Sequence, residues 1–198
     1  MSRARRAASA LLFGLGCGAS PSAESPPQDV AAAIVDEPSA VDLRGAPVDP
    51  FASEAAVVVL VFLGRDCPIS NKYAPELARV RRELADADVA WWLVFPDPDD
   101  DAAAIERHLG EYELQGPALR DPGHALVRRT GVRVTPEVAV LARGSSGLTQ
   151  IYRGRIDDRW ADYGRTRPQV RSRELADAIT AGLAGTAPKR VDVPAVGC

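Results

Sequence analysis

Residues 55–77 read AAVVVLVFLGRDCPISNKYAPEL, and the fold turns on how this stretch divides. Val57 to Leu63 is an unbroken apolar run with valine at four of its seven places, the composition of a strand buried on both faces. Gly64 ends it. From Pro68 the apolar residues Tyr73, Leu77, Val80 and Leu84 recur at helical spacing among arginines and glutamates, which predicts a helix over 68–85. Pro68 suits the first helical turn, and Pro75 is expected to kink the helix soon after. Cys67 therefore stands where a strand ends and a helix begins. Unpaired backbone N–H groups and the helix dipole favour a thiolate there, so Cys67 reads as a nucleophile. Arg65 would support that thiolate and Asp66 would oppose it. The other reading of Cys67 is a buried structural cysteine.

Further along, Val89–Phe95 is a second apolar run, closed by PDPDDD with turn chemistry and helix-starting acids. Ile105, Leu109 and Tyr112 mark one face of a short helix, whereas His108 reads as solvated surface. Ala118–Arg120 predicts a short edge strand and 123–130 another short helix. Val138–Leu141 and Leu148–Arg153 flank ARGSSG and predict an antiparallel hairpin, with Glu137 at the start of an edge strand or as a proton relay. Leu175, Ile179 and Leu183 mark a last helix. The alternation predicts an α/β fold: a mixed central sheet with helices on both faces.

The 198 residues are 46% hydrophobic and 26% charged, enough for one domain that needs no metal or disulfide to hold its core. Net charge is −3 and the basic residues are scattered, which argues against nucleic acid as a partner. Arg3, Arg5 and Arg6 precede a short apolar run, Ala7 to Leu15, in the order of a bacterial export signal. That run is too short for a permanent membrane span. Residues 1–19 are thus expected to direct export to the periplasm, the alternative being a cytosolic tail. Residues 20–40, rich in Pro, Ser and Ala, read as a flexible linker, 41–187 as the folded domain, and 188–198 as a tail. Cys17, after Leu15-Gly16, resembles a lipoprotein cleavage site, although Gly14 stands where that signal usually has leucine. A lipid on Cys17 would anchor the chain to a membrane; cleavage near Ala19 or Ala23 would release it.

A reactive cysteine after a buried strand, a kinked helix, and Thr135-Pro136 before a hairpin together resemble the thioredoxin fold. The resemblance implies a cis bond at Pro136, facing Cys67 across the site. More narrowly, DCPISNKYAPEL, TPEVAVL and YRGRIDDRWADYG resemble secreted bacterial redoxin-type proteins, grouped with alkyl hydroperoxide reductase/thiol-specific antioxidant domains. Thioredoxins carry Cys-x-x-Cys, but Ser70 takes the second place here and cannot resolve a mixed disulfide. Peroxiredoxins carry a proline and a hydroxyl residue upstream of the cysteine, where this chain has Leu60 and Gly64.

These features imply an exported thiol-disulfide oxidoreductase that acts through Cys67 on a disulfide or thiol substrate, protein or small molecule. Cys198 is expected to pair with Cys67, because no other thiol would remain after export and about ten residues from Pro188 reach far enough. The pair is either a resolving couple or a fixed disulfide, and an external thiol reductant is a further expected partner. Ser70, Thr135 and Pro136 are expected to line the substrate groove, and Arg155 to fold back toward the thiolate. Trp160 and Tyr163 would cover the site or pack its loop. No cofactor and no metal are expected. The second reading is a copper-binding or redox-inert binding module, in which His124 would join Cys67 and Cys198; thiolate and imidazole suit copper. A peroxiredoxin-like peroxidase is the weaker third.

Overall fold

A computed structural model describes residues 40–198. The expectations for the export signal, for Cys17 and for nearly all of the linker lie outside the described residues. The elements in chain order are β1 (Val41–Asp42), β2 (Val57–Phe62), α1 (Pro68–Lys72), α2 (Ala74–Glu83), β3 (Val89–Phe95), α3 (Ala102–Glu111) and β4 (Ala118–Arg120). They continue with α4 (Ala125–Thr130), β5 (Glu137–Gly144), β6 (Gly147–Gly154), β7 (Trp160–Asp162), β8 (Arg165–Thr166), α5 (Glu174–Leu183) and β9 (Asp192–Val193).

The main sheet runs β1-β4-β3-β2-β5-β6-β9 and is mixed. β2 pairs parallel with β3 and antiparallel with β5, so the valine-rich run lies at its centre and every residue of β2 is buried. Its side chains alternate between two cores. Val57, Val59 and Val61 pack with Leu77 and Val80 of α2, Ile105 of α3 and Leu175 and Ile179 of α5. Val58, Leu60 and Phe62 pack on the other face with Leu126 of α4. At roughly 25 cal/mol per Å2 of buried apolar surface, a fully covered strand of this composition supplies much of the drive to fold.

Pro75 ends one helix and starts the next. It has no N–H for the carbonyl four residues back, and its ring would strike that carbonyl, so α1 stops at Lys72 and α2 restarts at Ala74 with Pro75 in its first turn. The predicted single kinked helix is thus two, joined at Tyr73.

Three expectations are corrected. β4 is not an edge strand: Val41 and Asp42 pair outside it, opposite Arg120 and Leu119. β5 is central, and Glu137 is buried at its start, where Oε2 accepts from the backbone N–H of Arg133 at 2.7 Å. His108 is buried against Phe95 and Tyr112, with ring centroids 5.9 and 4.7 Å away, because Ile105 and Tyr112 at i−3 and i+4 share its face.

Candidate active site

The strand-to-helix junction puts Cys67 at the N-cap of α1, in extended backbone, with Pro68 locking the first helical turn. The peptide bond Thr135-Pro136 is cis, and it carries Thr135 across to the cysteine: Cys67 Sγ lies 3.1 Å from the Thr135 carbonyl oxygen. Cys67 and Cys198 form a disulfide spanning 131 residues of chain, with Cα atoms 6.1 Å apart. Cys67 is only 4% exposed, whereas Cys198 faces solvent. The disulfide opens on a cleft of about 460 Å3 lined by Arg65, Asp97, His124 and Thr135 among others.

The backbone of residue 198 is held in addition to its sulfur. The Cys198 N–H donates to the Thr135 carbonyl at 2.8 Å, and the Thr135 N–H donates to the Cys198 carbonyl at 3.1 Å. Both backbone groups of Thr135 are therefore taken by one residue.

The remaining predicted site residues separate into two groups. Arg65 and His124 reach the cleft with Thr135, and Pro136 is buried just behind it. Arg65 is not aimed at sulfur, however. Its two terminal nitrogens grip Asp66 at 2.9 and 3.0 Å, and its Nε donates to the buried Asp100 at 2.7 Å, which pushes its pKa up. Two carboxylates thus neutralise its charge beside the cleft. The His124 Nε2–H donates to the Pro96 carbonyl at 2.9 Å, tying its backbone, at φ 55°, to the loop after β3.

Ser70 and Arg155 go elsewhere. Ser70 is buried and its hydroxyl accepts from the Gly64 N–H at 3.2 Å, so it fastens the loop before Cys67 and does not line the cleft. Arg155 is held by Glu174 at the start of α5, through both Nε and a terminal nitrogen. The Asn71 side-chain amide donates to the Arg65 carbonyl at 3.2 Å. Among the described residues no group of three or more His, Cys, Asp or Glu is arranged to hold a metal ion. Gly64 leaves no space for a hydroxyl side chain: a Cβ there would sit 2.7 Å from the Thr135 hydroxyl and 3.2 Å from the Cys67 Cβ.

Behind the helix lies a charged layer that sequence alone did not reveal. Asp157 is fully buried and accepts from the Tyr73 hydroxyl at 2.8 Å and the Arg159 N–H at 2.9 Å. Burial pushes the Asp157 carboxyl up from its ordinary value against those donors, and burial likewise pushes the Tyr73 phenol up. Glu76, buried in α2, pairs with Arg79, Arg159 and Arg173. Trp160 is buried with the Lys72 ammonium over its ring at 5.3 Å, while Tyr163 is exposed. The signal was present in YRGRIDDRWADYG as alternating charge; the partners, on α2 and ahead of α5, are remote in sequence.

A buried strand, a cysteine at a helix start, a facing cis-proline and the mixed sheet define a thioredoxin-like fold. Residues 34–150 match the AhpC/TSA family, and the chain belongs to it. Solved structures share the fold. An uncharacterized conserved protein from Geobacillus kaustophilus is 21% identical with a TM-score of 0.64, covering 80% of this chain and 85% of that one. A hypothetical protein from Sinorhizobium meliloti is 21% identical with a TM-score of 0.62, covering 73% and 79%. MTB dsbF, determined in mixed oxidized and reduced forms, is 18% identical with a TM-score of 0.50, covering 74% and 92%. No curated protein matches the chain in sequence.

Proposed function

We propose that this protein is a thiol-disulfide oxidoreductase whose working pair is Cys67 and Cys198. The observation that carries the reading is the disulfide itself, placed between a helix start and the Thr135-Pro136 turn, with one of its residues buried and the other exposed. In the reduced protein the Cys67 thiolate attacks a substrate disulfide, bonds to one sulfur and expels the other as a thiolate. Cys198 then attacks Cys67 Sγ, releases the bound half of the substrate as a second thiolate, and leaves the Cys67–Cys198 bond. An external thiol resets the pair. It attacks the exposed Cys198 and expels Cys67, and a second thiol frees Cys198 as an external disulfide forms. The two electrons come from the two thiols.

Peroxide is a poor substrate on this reading, because Gly64 cannot carry a hydroxyl side chain unless Thr135 moves. A copper site would need both sulfurs, which bond each other in this state.

The rest of the organisation follows the same reading. Residues 1–19 direct export, a linker to about residue 40 precedes a domain over 41–187, and 188–198 form the tail. The cycle then runs in an oxidising compartment where such a bond persists. Mass spectrometry of the mature protein tests this: loss of the N-terminal residues supports export, a diacylglyceryl group on Cys17 adds membrane attachment, and an intact Met1 contradicts both. The chemistry is tested with a model disulfide. Cys67→Ser should abolish turnover, and Cys198→Ser should stall with substrate bonded to Cys67. Turnover by Cys67→Ser at the wild-type rate would refute the assignment.

A further inference from the structure

The last residues of the chain do more than deliver a sulfur. β9 adds in parallel to β6, with the Arg153 N–H donating to the Val191 carbonyl at 2.9 Å and the Arg155 N–H to the Val193 carbonyl at 3.2 Å. Asp192 pairs with Arg153, and Val193 is buried. Beyond it, residue 198 takes both backbone groups of Thr135. Two glycines clear the way. A Cβ on Gly197 would collide with the Thr135 carbonyl group, its carbon 2.8 Å away, and meet the Val134 side chain at 3.1 Å. A Cβ on Gly154 would strike the Val193 backbone. One glycine lies on the tail and one on the body, so both sides are shaped for this contact.

Non-covalent ties over 191–198 are nevertheless few: a two-residue strand, the Asp192–Arg153 ion pair, buried Val193 with half-buried Val196 beside the core, and two hydrogen bonds to Thr135. Such a segment belongs to the low-stability end of a domain once its cross-link is cut. We propose that residues 191–198 are a redox-released plug: the disulfide holds them with Cys198 at the cleft and 192–193 as a strand added to β6, and reduction frees them as a unit. Release uncovers Cys67 and both backbone groups of Thr135, and it bares the edge of β6. The vacated place has the shape of what left it: an extended polypeptide with a small residue immediately before its cysteine. This rests on the reading of Cys67–Cys198 as a cycling pair and adds the substrate class, a cysteine-containing peptide strand.

Amide hydrogen exchange on the full chain, oxidised and then reduced with a phosphine, tests the plug without any assay of turnover. Exchange at Thr135, Arg153, Arg155 and Cys198 should rise roughly tenfold or more on reduction, with the β2 amides unchanged. Cys198→Ser without reductant should give the same pattern. Gly197→Val should keep free thiols in a buffer that fully oxidises the wild type. Unchanged protection at those four amides would overturn the proposal, as would equal loss in β2, which marks a staple for the whole domain. Ready closure by Gly197→Val would overturn the peptide specificity. If the tail opens on reduction but no disulfide is turned over, the catalytic reading fails and the plug stands.

Discussion

The two flanks of α1 are built on opposite principles. On the side of Cys67 one partner, residue 198, is tied by a bond that thiols can cut. On the far side Tyr73, Asp157, Glu76, Arg159 and Arg173 lock the helices to the loop after β6 through buried charge and hydrogen bonds. In the proposed cycle, a helix anchored from behind would keep Cys67 in one place while the sulfur in front is released and returns, which is what an exchange site needs.

The sharpest break in that comparison is at sulfur. Cys67→Ser should reduce disulfide turnover to the uncatalysed background in a model-disulfide assay, since no other thiol in the domain sits at a helix start. Next is the anchor. Tyr73→Phe takes one donor from a fully buried carboxylate and should cost about 1–3 kcal/mol in a urea titration, with the Cys67–Cys198 bond still able to form. A loss of turnover with no loss of stability would place Tyr73 in the chemistry instead of the anchor.

A smaller effect belongs to pH. Burial pushes the His108 pKa below its ordinary value, so the folded protein resists protonation that the unfolded chain accepts. The stability this contributes is complete above about pH 6.5 and is lost as pH falls toward the lower, folded value. Unfolding free energy should therefore decline below that point, by at most about 1.4 kcal/mol per pH unit from this group. His108→Phe should flatten the decline, and an unchanged profile would mean that His108 titrates normally. Least of all, Arg65→Ala and Arg155→Ala should leave the rate of Cys67 alkylation in reduced protein within about twofold, because each guanidinium is committed to carboxylates. A steep fall on either substitution would restore the direct thiolate support expected from sequence.

Much of the fold was legible because strong signals coincide: a run buried on two faces, a cysteine at its end, Pro75 and Thr135-Pro136. What escaped has physical reasons. β1 and β9 are two residues each, too short to show any period, and they form because an edge of the sheet was open to them. β4 was misplaced as an edge for the same reason. His108 was legible in principle, since Ile105 and Tyr112 lie on its face, but a polar name outweighed the spacing. The pairing of Cys67 with Cys198 beside Thr135 was legible, whereas the directions of Ser70 and Arg155 were not: a side chain turns toward whatever the fold brings near, here Gly64 and Glu174.

If Cys67–Cys198 is a bond made to be opened, titrating the full-length protein through thiol buffers of defined potential and counting free thiols will show it. Opening is expected in the range of known exchange catalysts, about −120 to −270 mV, with Cys67 and Cys198 appearing together as free thiols. A bond that stays closed below about −300 mV, in the range of structural disulfides, would contradict it.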